Sequence, residues 1–362
     1  MKDDLSQIIS KFDTQGSIEA IEPFGGGHIN DSFRAMNTRS QFPNYFLQRI
    51  NHHVFKDVEG MMNNIQSVTA FLSKKYNEQS LDEDGMLALQ IVKTLDGALY
   101  TKWGDSYWRL YLLIEGLQSI DIPSSADIVF EGAKGFGQFI ADLHHFDANS
   151  LTHTIPYFHH MPRRLKRFEE VVSDVSVDKD EEKQAIQFVR KVGNELCELQ
   201  RLLDQGSLPL RVTHNDTKFN NILFDAKNKA RCVIDLDTVM PGLVHYDFGD
   251  GVRTSTCTSD EDESDLDKVD IDAEFFEAYT SGFLEDTRGI LSDLETQTMV
   301  EGALMMPFIM GVRFLTDYFE GNKYYKTAYP THNLVRAKCQ LELTRKMLAR
   351  KADLISIVKK YS

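Results

Sequence analysis

The chain has 362 residues, 26% of them charged, with a formal net charge of −15. That length suits two lobes, and so acidic a chain is a poor binder of nucleic-acid backbones, whose affinity comes from Lys and Arg neutralising phosphates. The first residues show no basic start followed by an apolar core, and no uninterrupted apolar run reaches about 18 residues. The expectation is a soluble, cytoplasmic protein with no membrane and no obligatory protein partner.

The pattern from Ser17 to Phe24 is β-prone, Gly25-Gly26-Gly27 breaks it, Ile29 to Met36 resumes, and Tyr45 to Ile50 follows a turn at Pro43-Asn44. Val54, Val58, Met61, Met62, Ile65, Val68, Phe71 and Leu72 recur at helical spacing and predict a helix over 54–76. Two further strands, Ala88 to Thr94 and Tyr107 to Ile114, are expected around a hairpin at Asp96-Gly97. Beyond Glu115-Gly116 the pattern turns helical: 125–146, 162–172, 181–203, 272–284, 294–319 and a terminal helix over 333–360. Pro307 is expected to kink or delay its helix, and the acidic run 260–267 reads as a solvated loop. The expected fold class is α+β, with lobes over 1–115 and 116–362.

Cys197, Cys232, Cys257 and Cys339 lie far apart with no Cys-x-x-Cys pair, which points away from a zinc ribbon or a disulfide framework. The histidine pairs 52–53, 144–145 and 159–160 lack a carboxylate or Cys at ligand spacing, so surface or packing roles are expected.

The densest chemistry lies in Arg211-Val-Thr-His-Asn-Asp-Thr-Lys-Phe-Asn-Asn-Ile-Leu-Phe-Asp225, followed by Val233-Ile-Asp-Leu-Asp237. Polar groups left unpaired in a dry interior cost roughly 1–3 kcal/mol each, so His214, Asp216, Asn221, Asp235 and Asp237 need a compensating network or ligand. The spacing His-x-Asp-x-x-x-x-Asn, then a strand ending in Ile-Asp, suits phosphoryl transfer. Asp216 would orient a hydroxyl and take its proton, Asn221 and Asp235 would hold magnesium, and His214 would brace the loop. A lone Asp reads as a turn or cap residue; the whole set argues for chemistry. Asp237 competes as a metal ligand and ranks below Asp235. Asp247 and Asp250 read as helix-start residues whose carboxylates anchor the loop.

Gly25-Gly26-Gly27-His28 is a candidate phosphate loop, since glycines let backbone amides approach phosphate oxygens; a plain hairpin turn is the competing reading. On the first reading His28 and Asn30 also face substrate. Arg313 is either the i+4 ion-pair partner of Asp317 or, with Tyr324, part of a sugar site in which a guanidinium fork meets oxygens and a ring meets an apolar sugar face.

His214-Asn-Asp-Thr-Lys-Phe-Asn-Asn-Ile-Leu and Val233-Ile-Asp-Leu-Asp, with Leu143-His144 upstream, resemble the aminoglycoside phosphotransferase and choline kinase superfamily, whose fold is that of protein kinases. The longer stretches Ile21–Asn30, Pro209–Lys218, Ile234–Gly242, Arg313–Gly321 and Tyr329–Arg336 resemble its branch acting on N-acetylhexosamines at the anomeric hydroxyl. The resemblance implies a bilobal protein-kinase-like fold and the use of ATP and Mg2+. It implies Asp216 as base, Asn221 and Asp235 as magnesium ligands, and Gly25, Gly26, Gly27, His28 and Gln48 at the nucleotide. Leu113 to Glu115 would form the adenine hinge, and Asp216, Asp235, Arg313, Tyr324 and His28 would touch an amino sugar. Gln48 stands where the superfamily has a Lys. Either Arg49 turns inward, which strand alternation argues against, or another cation substitutes; the departure also keeps open a non-catalytic nucleotide or sugar sensor. Choline, an amino-alcohol or an aminoglycoside is the rival acceptor.

Overall fold

The computed structural model describes residues 2–25, 29–79 and 85–362. In order the elements are α1 (Lys2–Ile9), β1 (Ile18–Pro23), β2 (Asp31–Asn37), β3 (Tyr45–Ile50), α2 (Val58–Gln79), β4 (Ile91–Val92), β5 (Thr101–Trp103), β6 (Ser106–Leu112), β7 (Gln118–Ser119), α3 (Ala126–Asp142), α4 (Met161–Ser173), α5 (Asp180–Val192), α6 (Glu198–Asp204) and β8 (Arg211–Thr213). They continue with β9 (Ile222–Phe224), β10 (Ala230–Val233), β11 (Met240–Gly242), α7 (Val244–Ser255), α8 (Ala273–Thr287), α9 (Asp293–Gln297), α10 (Met299–Phe319), α11 (His332–Ala349) and α12 (Lys351–Tyr361). The chain divides into two compact units, one of residues 1–119, 145–156 and 222–241, the other of 120–144, 157–221 and 242–362.

The first unit is built on an antiparallel sheet ordered β1-β2-β3-β6-β4, with β5 folded back on β6. Its register sets Ser32 opposite Gln48 and Gln48 opposite Arg109, which decides the chemistry below. Tyr45 and Leu47 alternate inward along β3 and meet Leu5, Ile8, Ile9 and Phe12 from the N-terminal segment. That segment's α1 is absent from the sequence reading, because one short amphipathic helix behind Lys2-Asp3-Asp4 gives little periodic signal. In α2 the buried stripe Met61, Met62, Ile65, Val68 and Leu72 follows the predicted spacing, and each such side chain contributes roughly 1.5–3 kcal/mol on burial. Buried Asn64 on α2 donates to Thr152 O (2.7 Å) and Val239 O (2.9 Å), fastening the later segments of the unit.

Two expectations for this unit change. The strand over 88–94 shrinks to Ile91–Val92, because Thr94 Oγ1 accepts from Ala98 N (2.8 Å) and Gly97 takes a positive φ of 88°, closing a local turn instead. The tight hairpin onto β6 is made by β5 through Gly104 and Asp105.

The second unit is mainly helical. Met299–Phe319 is long and apolar enough to cross a membrane by length and composition, yet 83% of its most apolar stretch is buried inside the protein. It is a core helix. Pro307 lies inside it without ending it. The predicted helix 181–203 breaks after Val192, where Gly193 and Asn194 are weak helix formers. The terminal helix breaks at Arg350, whose guanidinium reaches Asp270 (2.9 Å) and Ile271 O (3.2 Å). Caps follow the sequence: Asp272 accepts from Glu274 N and Phe275 N, and Ser292 and Glu295 form a capping box. In α7 a Cβ on Gly249 would lie 2.2 Å from Gly302 O of α10, and one on Gly302 would lie 2.4 Å from His245 O, so the two glycines together let these helices touch. The Asp247-Phe-Gly249 triplet is structural here.

Candidate active site

Within the second unit, the loop after β8 is held by its backbone. Asn215 adopts φ 65°, an uncommon conformation outside Gly that Asn tolerates better than most residues, and its side chain donates to Thr213 O (3.1 Å). Asp247, buried in the first turn of α7, accepts from the amides of His214 and Asn215, both at 2.7 Å. Thr217 Oγ1 donates to the Asp247 carbonyl (2.6 Å). His214 is fully buried between the ring edges of Phe136 and Phe139, and its Nδ1 accepts from Asp216 N (3.3 Å). The loop is therefore fixed without using the Asp216 carboxylate.

That carboxylate, 19% exposed, faces Lys218 Nζ at 3.1 Å. Burial alone would raise its pKa; the Lys218 ammonium, His214 and the Arg253 guanidinium outweigh it and hold the group below the usual carboxylate range. Lys218 was missed from sequence, although a Lys two residues beyond a base is a legible signal. Behind it Arg253, 4% exposed, pairs with Asp250 (2.8 Å) and Glu261 (2.8 Å), so part of the acidic run is tied down rather than solvated. Asn221 is buried, and its Nδ2 donates to Asp216 O (2.8 Å). With the amide nitrogen committed inward, the amide oxygen is the end suited to a hard cation. Burial pushes Asp247 up to about 6, against the pull of His214 and the two amides.

Within the first unit, the turn after β10 passes through Asp235 at φ 59°. Asp tolerates this left-handed conformation better than most residues. The turn leaves Asp235 exposed and Asp237 2% exposed. Both oxygens of Asp237 are engaged: Asn30 Nδ2 donates to one (2.8 Å) and Arg109 is ion-paired to the other. Asp237 is thus a buried anchor, whereas Asp235 is exposed. Asn30 is also structural, since its Oδ1 accepts from Asn51 N (2.9 Å); the expectation that it faces substrate is corrected.

Gln48 is paired with an arginine. Its Oε1 accepts from Arg109 Nε (3.0 Å) and Nη2 (2.8 Å), while its Nε2 donates to Ser32 Oγ (3.0 Å). The cation stands one strand over, on β6, 1% exposed. Burial opposes its charge, but Asp237 outweighs that and keeps the guanidinium protonated. Sequence reasoning missed Arg109 because pairing β3 with β6 is a long-range choice. Of the nucleotide residues, Gly25 takes φ 81° with open space where a Cβ would be, while Gly26, Gly27 and His28 lie outside the described residues. Leu113 N donates to Asn44 O (2.9 Å), and Glu115 accepts from Asn44 Nδ2 (2.5 Å), so the segment expected to form the adenine hinge is bound back to the turn before β3.

Of the two readings of Arg313, the ion pair with Asp317 does not form. Asp317, 3% exposed, accepts from Tyr324 N (2.8 Å), Tyr325 N (3.0 Å) and Asn333 Nδ2 (2.8 Å). Arg313 instead lies 5.1 Å over the Phe158 ring and 5.5 Å from that of Tyr325. Tyr324 is 57% exposed and packs edge-on against Tyr325. Among the described residues no three His, Cys, Asp or Glu side chains gather as a metal cluster.

The pattern of the phosphotransferase enzyme family APH matches residues 20–287. By fold the chain is similar to an aminoglycoside phosphotransferase from Alicyclobacillus acidocaldarius subsp. acidocaldarius DSM 446 (TM-score 0.63, 16% identity, covering 98% of this chain and 96% of that one). It is also similar to a choline kinase from Cryptosporidium parvum Iowa II (0.59, 13%, 100% and 99%). A third is the amicoumacin kinase hAmiN, solved with AMP-PNP and Ca2+ (0.60, 13%, 94% and 93%). At these identities the structures establish a kinase-like α+β fold, and the match over most of the sequence establishes that this chain belongs to the APH phosphotransferase enzyme family.

Proposed function

We propose that this chain is a cytoplasmic kinase that transfers the γ-phosphoryl group of ATP to the anomeric hydroxyl of an N-acetylhexosamine, giving the sugar 1-phosphate and ADP. The observation that carries the choice of acceptor is the release of Arg313 from Asp317. A guanidinium lying among aromatic rings suits the oxygens and apolar face of a sugar, and it repels cationic acceptors such as choline or an aminoglycoside. The four free cysteines accord with a reducing compartment.

Asp216, ionised because Lys218 holds its pKa low, orients the hydroxyl and accepts its proton as the new O–P bond forms and the bond to the β-phosphate oxygen breaks. An anomeric hydroxyl is more acidic than an ordinary alcohol, so a weak base suffices. By the resemblance, Asn221 and Asp235 are the residues that would hold magnesium; taken separately, an amide oxygen and a carboxylate are both ligands suited to it. Bound there, the metal offsets the charge of the phosphates. The buried Arg109 guanidinium beside Gln48 is a candidate for the positive charge that Gln48 lacks, which favours a catalytic chain over a non-catalytic sensor.

A coupled ADP-release assay over N-acetylglucosamine, N-acetylgalactosamine, choline and kanamycin tests the reading. We expect an N-acetylhexosamine to exceed both cationic acceptors by about 100-fold or more in kcat/KM; binding of magnesium-ATP without turnover of any acceptor would overturn it. Arg313→Ala is expected to raise the sugar KM by about tenfold or more while leaving the KM for ATP unchanged.

Asp247 sets a pH dependence. Its pKa of about 6 in the fold lies above the 3.8 of the free side chain. Protonation as pH falls through about 6 therefore stabilises the folded chain while weakening a bond that fixes the loop. The expected profile loses kcat/KM with an acid midpoint near pH 6 and no drop in Tm there; a limb set only near pH 4 would contradict it.

A further inference from the structure

A second guanidinium lies beside Arg313. Arg164 Nη2 donates to Phe158 O (3.0 Å), while Arg313 covers the ring of the same Phe158. Among the described residues neither arginine is ion-paired to a carboxylate; their polar contacts are the Phe158 carbonyl and the Met310 sulfur. Burial and then the Arg313 charge push Arg164 down to about 10. Two like charges held together in partial burial without an anion form an unbalanced arrangement that a ligand can balance.

Three polar atoms nearby are buried without partners: Arg164 Nε, the Tyr325 hydroxyl and His159 Nδ1. His159 is 5% exposed, and burial holds its pKa near 3, so the ring is neutral. Its Nε2 must carry the proton, because the partner at 3.0 Å is the carbonyl of Asn215, which only accepts. Nδ1 is therefore a bare acceptor. Asn215 precedes Asp216, and the charges of Arg313, Arg164 and Asp216 all act on His159, so this cluster borders the proposed base. The inventory is two unpaired donors and one unpaired acceptor under a double positive charge. A carbonyl or oxyanion satisfies the donors, and a hydroxyl satisfies His159.

We propose that Arg164 and Arg313, with Tyr325 and His159, form a subsite that receives an uncharged or acidic oxygen-bearing substituent of the acceptor and rejects acceptors bearing an amine. The proposal rests on the kinase reading above and adds Arg164 as a specificity-determining residue.

The test compares kcat/KM of the full chain for N-acetylglucosamine, glucose and glucosamine at a pH where the amine is protonated. Loss of the acyl group alone would leave glucose and glucosamine equal; charge exclusion places glucosamine about tenfold or more below glucose. Glucosamine equal to or better than glucose would overturn the proposal. Arg164→Met is expected to raise the KM for N-acetylglucosamine, leave that for ATP unchanged and close the gap between glucose and glucosamine. Arg164→Lys, which keeps the charge, is expected to preserve that gap. A folded Arg164→Met protein with an unchanged gap would overturn the assignment, and if that variant does not fold, the three-sugar comparison decides. Should no sugar be turned over, the kinase reading for sugars fails on its own. The subsite is then decided by binding of choline against its neutral isostere 3,3-dimethyl-1-butanol, with stronger choline binding the contradicting result.

Discussion

Asp216→Asn is expected to lower kcat by about 10²- to 10⁴-fold, the range supplied by a positioned general base, with an unchanged circular dichroism spectrum and retained magnesium-ATP binding. The separation follows from the loop's construction. Its backbone is fastened by Asp247 through the amides of His214 and Asn215, and by Thr217 through the Asp247 carbonyl. The Asp216 side chain instead faces the half-exposed Lys218. Removing its charge strips the base and leaves the brace. Residual activity within about tenfold of the parent would remove Asp216 from the mechanism.

Arg109→Gln is expected to reduce stability by about 3–5 kcal/mol, because it leaves the Asp237 carboxylate buried without its cation. It should also raise the KM for ATP through loss of the Gln48–Arg109–Asp237 chain. Direct register across β3 and β6 supplies a rescue. Gln48→Lys combined with Arg109→Gln moves the positive charge to the facing residue, and the double variant should recover part of both stability and nucleotide affinity. A double variant no better than Arg109→Gln, by denaturant unfolding and by KM for ATP, would show that charge at this place is not what the ladder contributes.

The sequence reading and the structure agree where the signal is local. The stripe on α2 is set by neighbours a few positions apart, so periodicity exposes it. The misses are tertiary. Arg109 sits in an apolar strand with nothing nearby in sequence to mark it, and only strand pairing brings it to Gln48. For Arg313 the sequence left two readings open, and local spacing could not choose between them: Asp317 is recruited by the amides of the following turn and by Asn333. Arg164 stayed invisible because its importance is relational, arising from a second arginine and from polar atoms left without partners. Asn30 was assigned to substrate from its place beside the glycines, whereas its side chain links Asn51 to Asp237.

The central claim is phosphoryl transfer from ATP to the anomeric oxygen of an N-acetylhexosamine. Its most direct test is to incubate the full chain with magnesium-ATP and N-acetylglucosamine or N-acetylgalactosamine and locate the new phosphoester by phosphorus and proton NMR. The account predicts stoichiometric ADP and a phosphate coupled to the anomeric proton. A phosphate on another hydroxyl, or no sugar phosphate while choline or an aminoglycoside is consumed, would contradict it.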